Sequence, residues 1–224
     1  MRAARRAFGQ PGGVAGDLLS RERELWSRGY VAVAGIDEAG RGALVGSVVA
    51  AAVVFSPGTA LDGVRDSKAI SPRRREALYD VIMDRALAVG VGVADAETVD
   101  RVNVKQAARL AMKQAVENLS VTPDYLLVDA EVVPVSIPQG AIVHGDALCH
   151  AIAAASIIAK VTRDRMCDVW DAEYPQYHIR SHKGYCTREH VEAILKYGPC
   201  PLHRKTFLRK ILPHQTSLGP DLGL

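Results

Sequence analysis

The sequence predicts an α/β fold: a mixed sheet flanked by helices, with a helical C-terminal extension. Three observations predict it. Apolar strand-like runs alternate with helical patterns over residues 31–145. The loop between the first two strands is too short for a crossover, so those strands should pair antiparallel. Beyond residue 148 the chain turns Ala-rich and helical.

The elements follow in order. Residues 1–30 read as a leader and a short helix: Gln10-Pro11-Gly12-Gly13 breaks the chain, and Asp17 to Trp26 has helical spacing. Val31 to Ile36 is a buried strand ending in Asp37-Glu38. A Gly40-Arg41-Gly42 loop and a second strand over Val48 to Phe55 come next. Ser71-Pro72 opens a helix as N-cap and first residue, with Leu78, Ile82 and Leu87 on one side. Val89 to Ala94 is a third strand, and Asn103 to Leu119 an amphipathic helix. Short strands end at Asp129 and near His144-Gly145-Asp146, and Leu148 to Trp170 is a long helix. The expected division is 1–30 leader and helix, 31–175 catalytic core, 176–212 helical extension, and 213–224 mobile tail.

Composition limits the classes. The 224 residues are 48% hydrophobic and 24% charged, which excludes wholesale disorder. Aromatics are 5%, so the core must be Ala, Val, Ile and Leu. The longest apolar run, Leu44 to Phe55, is too short to span a bilayer. The net charge of +3 permits a polyanionic partner without demanding one. Cysteines 149, 167, 186 and 200 contain no C-x-x-C pair and read as reduced thiols of a cytoplasmic protein.

Three strands end in acids: Asp37-Glu38, Asp129 and Asp146. Gathered at one sheet edge, such carboxylates repel one another, and a hard cation such as Mg²⁺ or Mn²⁺ relieves them. A single Asp at a strand end is more often a turn residue. Adjacent Asp37 and Glu38 after an apolar strand fit that reading poorly. Gly40-Arg41-Gly42 is not a dinucleotide fingerprint, since the third glycine falls one place late and no helix follows. It suits close backbone approach to a sugar, with Arg41 on a phosphate. His182-Lys183-Gly184-Tyr185 and Leu202-His203-Arg204-Lys205 combine basic and aromatic side chains that could hold a phosphate backbone. Cys186-x3-His190 and Cys200-x2-His203 leave open a zinc-stabilised interaction domain. A binding module without catalysis is the other alternative.

Together these residues resemble the type 2 ribonuclease H family. Gly35 to Gly42 (Gly-Ile-Asp-Glu-Ala-Gly-Arg-Gly) is similar to its signature. Asp66-Ser67-Lys68, Leu127-Val128-Asp129, Gly145-Asp146 with Ala153 to Asp164, His182 to Thr187, and His203-Arg204-Lys205 resemble the later blocks, in family order over residues 31–212. The resemblance implies a ribonuclease H-like fold. It also implies cleavage of RNA in RNA–DNA hybrids and at single ribonucleotides in duplex DNA, with Mn²⁺ or Mg²⁺ as cofactor, two ions per site with substrate. It places the active-site and metal-binding carboxylates at Asp37, Glu38, Asp129 and Asp146, with Asp37 as the bridge. It assigns Gly40, Arg41 and Gly42 to the ribose 2′-OH and Tyr185 to the flanking deoxyribose. Ser67, Lys68, Lys183, Arg204 and Lys205 are the remaining expected substrate contacts. A monomer is expected. Two departures stand out: His144 replaces the usual Lys before Gly-Asp, and Cys186 follows the tyrosine. Asp164 is expected to pair with Arg163 on the helix surface, outside the metal set.

Overall fold

The computed structural model describes residues 17–65 and 67–212. The expected leader up to residue 16, Asp66 and the tail 213–224 lie outside the described residues. Helix α1 (Ser20–Ser27) precedes β1 (Val33–Ala39) and β2 (Val48–Val54). A 3-10 turn (Ser67–Ala69) leads to α2 (Pro72–Arg85), β3 (Ala88–Ala94), α3 (Ala96–Val102) and α4 (Val104–Glu117). Then come β4 (Tyr125–Asp129), β5 (Gln139–Ile142), α5 (Gly145–Leu148) and the long α6 (His150–Glu173). After a second 3-10 turn (Pro175–Tyr177), the chain forms α7 (Ile179–His182), α8 (Arg188–Tyr197) and α9 (Lys205–Leu208).

The sheet is mixed, in the order β3-β2-β1-β4-β5. β1 pairs antiparallel with β2, as the short loop requires, and parallel with β4. Successive side chains of a strand face opposite sides, and that period sorts the core into two layers. Val33, Ala51, Val53 and Leu127 face α2 and α6, packing with Ile82, Ile152, Ala155 and Ile158. Ala34, Ile36, Ala50, Ala52, Leu126 and Val128 face α4, packing with Ala108, Ala111, Met112 and Ala115. Each fully buried Ile or Leu contributes about 1.5–3 kcal/mol by leaving water. Small residues let α6 lie close to β1: a Cβ on Gly35 would sit 2.1 Å from the Ala151 backbone.

Several expectations shift. Asp37 and Glu38 lie inside β1 rather than after it, because the antiparallel register continues to Ala39↔Val49. The helix expected over Asn103 to Leu119 is α4, with Asn103 as its N-cap at φ 68°. Before it stands α3, which the sequence reading did not anticipate; Asp95 caps it by accepting from the Thr98 amide. Leu87 lies beyond the end of α2 and is exposed, because the chain has already turned into β3. A third apolar cluster joins Ile179, Ala193, Ile194 and Leu208 of the extension to Cys167 and Trp170 of α6 and to Leu44 and Val45. No described helix is long and apolar enough to cross a membrane, and the four cysteines are free thiols.

Candidate active site

The strand period also places the carboxylates. Asp37 shares the α6 side of the sheet with Gly35, and Glu38 points toward α4. Asp37 is buried and receives the Glu38 amide on Oδ1 at 2.7 Å. The Ser156 hydroxyl of α6 also hydrogen-bonds Asp37. Parallel pairing of Ile36 with Val128 brings the next residue of β4, Asp129, to the same edge. Asp129 Oδ1 accepts from the Gly145 amide at 2.7 Å, which draws in the following residue, buried Asp146. The four expected carboxylates are therefore neighbours at the ends of β1 and β4 and the start of α5.

Their electrostatics are unfavourable without a cation. Burial lifts the Asp37 carboxyl well above the usual range, and the charges of Glu38 and Asp129 add to that. Burial also raises Glu38, against the lowering effect of Arg41, and the charges of Asp129 and Glu131 push it further up. Asp129 is raised by burial and by Asp146, and lowered by the Gly145 amide. Glu38 Oε2 is buried without a hydrogen-bond partner. Such an oxygen costs free energy unless something pairs with it. Among the described residues, no three or more His, Cys, Asp or Glu side chains are already drawn into metal-ligand geometry. Instead cations hold two of the acids: Arg41 Nη1 donates to Glu38 at 3.0 Å and Lys68 Nζ to Asp146 at 3.3 Å. An all-oxygen donor set with an orphaned carboxylate oxygen fits a hard divalent cation.

The Gly40-Arg41-Gly42 loop adjoins these acids. Gly40 has φ +91°, and a Cβ there would sit 2.0 Å from Arg163 Nε. Arg163 is fully buried and donates to the carbonyls of Val45, Ser47 and Lys183 at 3.2, 3.1 and 2.9 Å. Arg204 is also fully buried and donates to the carbonyls of Gly46 and Arg41, each at 2.9 Å. Burial, then the nearby Arg163 charge, lowers its pKa to about 10, so it remains a cation at neutral pH. Arg204 thus meets the expectation of a phosphate contact with a side chain turned inward, holding the loop. Tyr185 is 39% exposed. A Cβ on Gly42 would lie 3.8 Å from its ring, and the Arg163 guanidinium lies 5.6 Å from the ring centre.

The other expected contacts divide. Lys68 is exposed beside Asp146. Ser67 is buried and shares a 2.9 Å hydrogen bond with Ser156, so it supports the residue that holds Asp37. Lys183 Nζ reaches Asp168 at 3.2 Å. Lys205 is exposed, and its amide donates to Asp100 at 2.7 Å. Asp164 pairs with Lys160, not with Arg163, whose guanidinium is committed to backbone carbonyls. His144 is exposed and lies near enough to lower Asp129.

Of the residues weighed for zinc, Cys200 Sγ lies 3.1 Å from His203 Nδ1, but no three of them form a metal-ligand group among the described residues. His182 stacks on His190 at 4.3 Å, and His190 Nε2 lies 3.2 Å from His203 Nε2. His190 Nδ1 bonds the Tyr185 carbonyl, His182 Nδ1 accepts from the Gly184 amide, and Cys186 is exposed. Burial first holds both His190 and His203 at about 4, each well below 6.5. These neutral rings contribute stability above about pH 6.5, and that stability is lost as pH falls toward 4. Hydrogen exchange at pH 5 should therefore show residues 182–208 opening before the sheet does. Uniform protection of both regions would show that the histidines do not control this segment.

Residues that the sequence reading missed include Ser156, Arg163 and Glu131. Ser156 had a faint signal, a polar residue amid the alanines of α6. Glu131 is buried among Arg41, Lys105 and Arg109, from elements distant in the chain.

Comparison with known proteins decides the family. The family model described as Ribonuclease HII matches residues 34–210. The chain belongs to the ribonuclease HII family. It is 55% identical over 200 residues to a ribonuclease HII of Alkaliphilus metalliredigens, covering 87% of this chain and 98% of that one. A ribonuclease HII of Geobacter sp. strain M21 is 52% identical over 214 residues, covering 93% of each chain. The crystal structure of the ribonuclease H2 from Pyrococcus horikoshii OT3 superposes with a TM-score of 0.69 at 28% identity, covering 80% of this chain and 96% of that one. As a ribonuclease HII, the chain is a metal-dependent endoribonuclease acting on the RNA of RNA–DNA hybrids, and its fold is ribonuclease H-like.

Proposed function

We propose that Asp37, Glu38, Asp129 and Asp146 hold the divalent cations with which this chain cuts hybrids, and that it also cuts at single ribonucleotides in duplex DNA. The observation that carries this reading is the parallel register that sets Asp37 beside Asp129, with the Gly145 amide on Asp129 bringing Asp146 to the same strand ends. A pair of Mg²⁺ or Mn²⁺ ions there would activate water and stabilise the leaving 3′-oxygen, giving 3′-hydroxyl and 5′-phosphate ends. Asp37 and Asp129, side by side on parallel strands, would hold the ions, and Glu38 and Asp146 would complete the set. Ser156 and the Gly145 amide orient the first two. Backbone groups at Gly40 and Gly42 approach the ribose 2′-OH, the group that separates RNA from DNA. Arg41, Lys68, Lys183 and Lys205 would contact phosphates, while Arg204 and Ser67 act from beneath the surface.

One gel tests the reading. A duplex with one ribonucleotide, a full hybrid and plain DNA are each incubated with Mg²⁺, Mn²⁺ or chelator. The first two should be cut with metal and nothing with chelator. Binding without cleavage under every condition would leave only a binding module. The same gel tests Tyr185. Its ring should pack best on a deoxyribose, because a 2′-OH there would be crowded and partly desolvated. Loss of one stacking contact is worth roughly 1–3 kcal/mol. Tyr185→Ala should therefore slow cutting at a single ribonucleotide about tenfold more than cutting of a continuous hybrid. Tyr185→Phe should keep most of the activity. An unchanged ratio in Tyr185→Ala would make the tyrosine a packing residue.

A further inference from the structure

Arg41 is shared between two carboxylates. Its Nη1 donates to Glu38 Oε1 at 3.0 Å, and its Nη2 lies 3.6 Å from Glu131 Oε1. Glu131 stands two residues beyond Asp129 and is 7% exposed. Its Oε2 accepts from Arg109 Nε of α4 at 3.0 Å, and Lys105 Nζ lies 3.9 Å from its Oε1. Both Glu131 and Glu38 project toward the α4 layer, which explains why one guanidinium can span them. Three cations thus face one buried carboxylate, so Glu131 would keep two charged partners without Arg41.

The dependence runs the other way. A divalent cation on Glu38 would repel the Arg41 guanidinium at close range. Arg41 is partly buried, and a guanidinium drawn partly out of water favours an anionic partner. The only other carboxylate with which the structure pairs it among the described residues is Glu131. Without that second anion, Arg41 would rest wholly on Glu38 and compete with the incoming cation for it.

We propose that Glu131 is a positioning residue for Arg41: it shares the guanidinium with Glu38 and so lowers the competition that Arg41 offers to a divalent cation there. This rests on the reading of Asp37, Glu38, Asp129 and Asp146 as the cation-binding set.

The test is calorimetric titration of Mn²⁺ into the protein free of nucleic acid, for wild type, Glu131→Gln, Arg41→Ala and the double variant. Glu131→Gln should weaken Mn²⁺ binding about fivefold, the scale of one partly exposed ion pair. Removing any nearby anion would also weaken it, so the double-mutant cycle decides. Arg41→Ala should tighten Mn²⁺ binding several-fold more in the Glu131→Gln background than in wild type. Equal tightening in both backgrounds would make Glu131 a distant charge and overturn the proposal. Thermal melting checks that Glu131→Gln folds. If it does not, Glu131→Asp keeps the buried charge but draws it back from Arg41. It should give the same sign of coupling at smaller size, and no coupling there would equally overturn the proposal. Asp37→Asn serves as control. Wild-type Mn²⁺ binding in that variant would sink the cation-site reading itself, whereas its loss alongside zero coupling would sink only the role of Glu131.

Discussion

Asp37→Asn should reduce cleavage by roughly a thousandfold or more, above the ten- to hundredfold loss typical of supporting partners around a metal. Asn keeps the shape and can still accept from the Glu38 amide, so the fold should survive. What it loses is the charge at the centre of the carboxylate group. The same substitution should stabilise the metal-free protein. The folded-state pKa of Asp37 is raised by burial and by Glu38 and Asp129. The stability linked to its proton is therefore complete below the ordinary carboxylate value of 3.8 and is lost as pH rises through the raised value. In chelator, the melting temperature of Asp37→Asn should exceed that of wild type at pH 7 and 8, and the gap should close as pH falls toward 4. Adding Mn²⁺ should reverse the order by stabilising wild type alone. Full activity with Mg²⁺, or a gap that does not change with pH, would remove Asp37 from the proposed centre.

Arg163→Met should lower the free energy of unfolding by about 3–5 kcal/mol, the cost of leaving three buried carbonyls without their donor after partial relaxation. Three carbonyls, on Val45, Ser47 and Lys183, would lose their donor. Each buried acceptor left unsatisfied costs about 1–3 kcal/mol before relaxation. Arg163→Lys should rescue little, because an ammonium lacks the planar fork that reaches three directions. Urea unfolding gives the measurement: the midpoint should drop while the slope stays constant. Activity should fall as well, since Gly40 packs on the guanidinium stem and Tyr185 lies beside its head. A midpoint within error of wild type would mean that the loop carbonyls find water at no cost.

Much of the fold was legible because it rests on local patterns. The strand expected over Val31 to Ile36, which begins two residues later because Val31 is exposed, the Ser71-Pro72 start of α2 and the short loop forcing β1 and β2 antiparallel need only neighbouring residues. The carboxylates were legible as strand-end acids, although only parallel pairing of β1 with β4 sets Asp37 beside Asp129. The inward turn of Arg204 was not legible. A sequence shows a basic residue after His203, but not the bare carbonyls 158 and 163 residues away that it serves. Glu131 escaped for a similar reason: its partners come from α4 and from the loop after β1, and no spacing within the chain joins them. Helix α3 was missed because Ala96–Val102 is only seven residues long, too short for a helical period to stand out in the sequence.

The position of Arg204 also bears on the order in which the molecule becomes a nuclease. The loop that continues from Asp37 and Glu38 leaves the ribosome early, whereas its clamp is among the last described residues to be made. Val45 is bridged by His203, the Gly46 amide donates to the Leu202 carbonyl, and Arg204 closes the Arg41 carbonyl. A chain that has formed the sheet but has not yet docked residues 202–204 lacks these partners for Val45, Gly46 and Arg41. Domains fold in the order they are synthesised; here the catalytic strand is early and its completion late. The loop after β1 is thus only as firm as the docking of residues 202–204 against it.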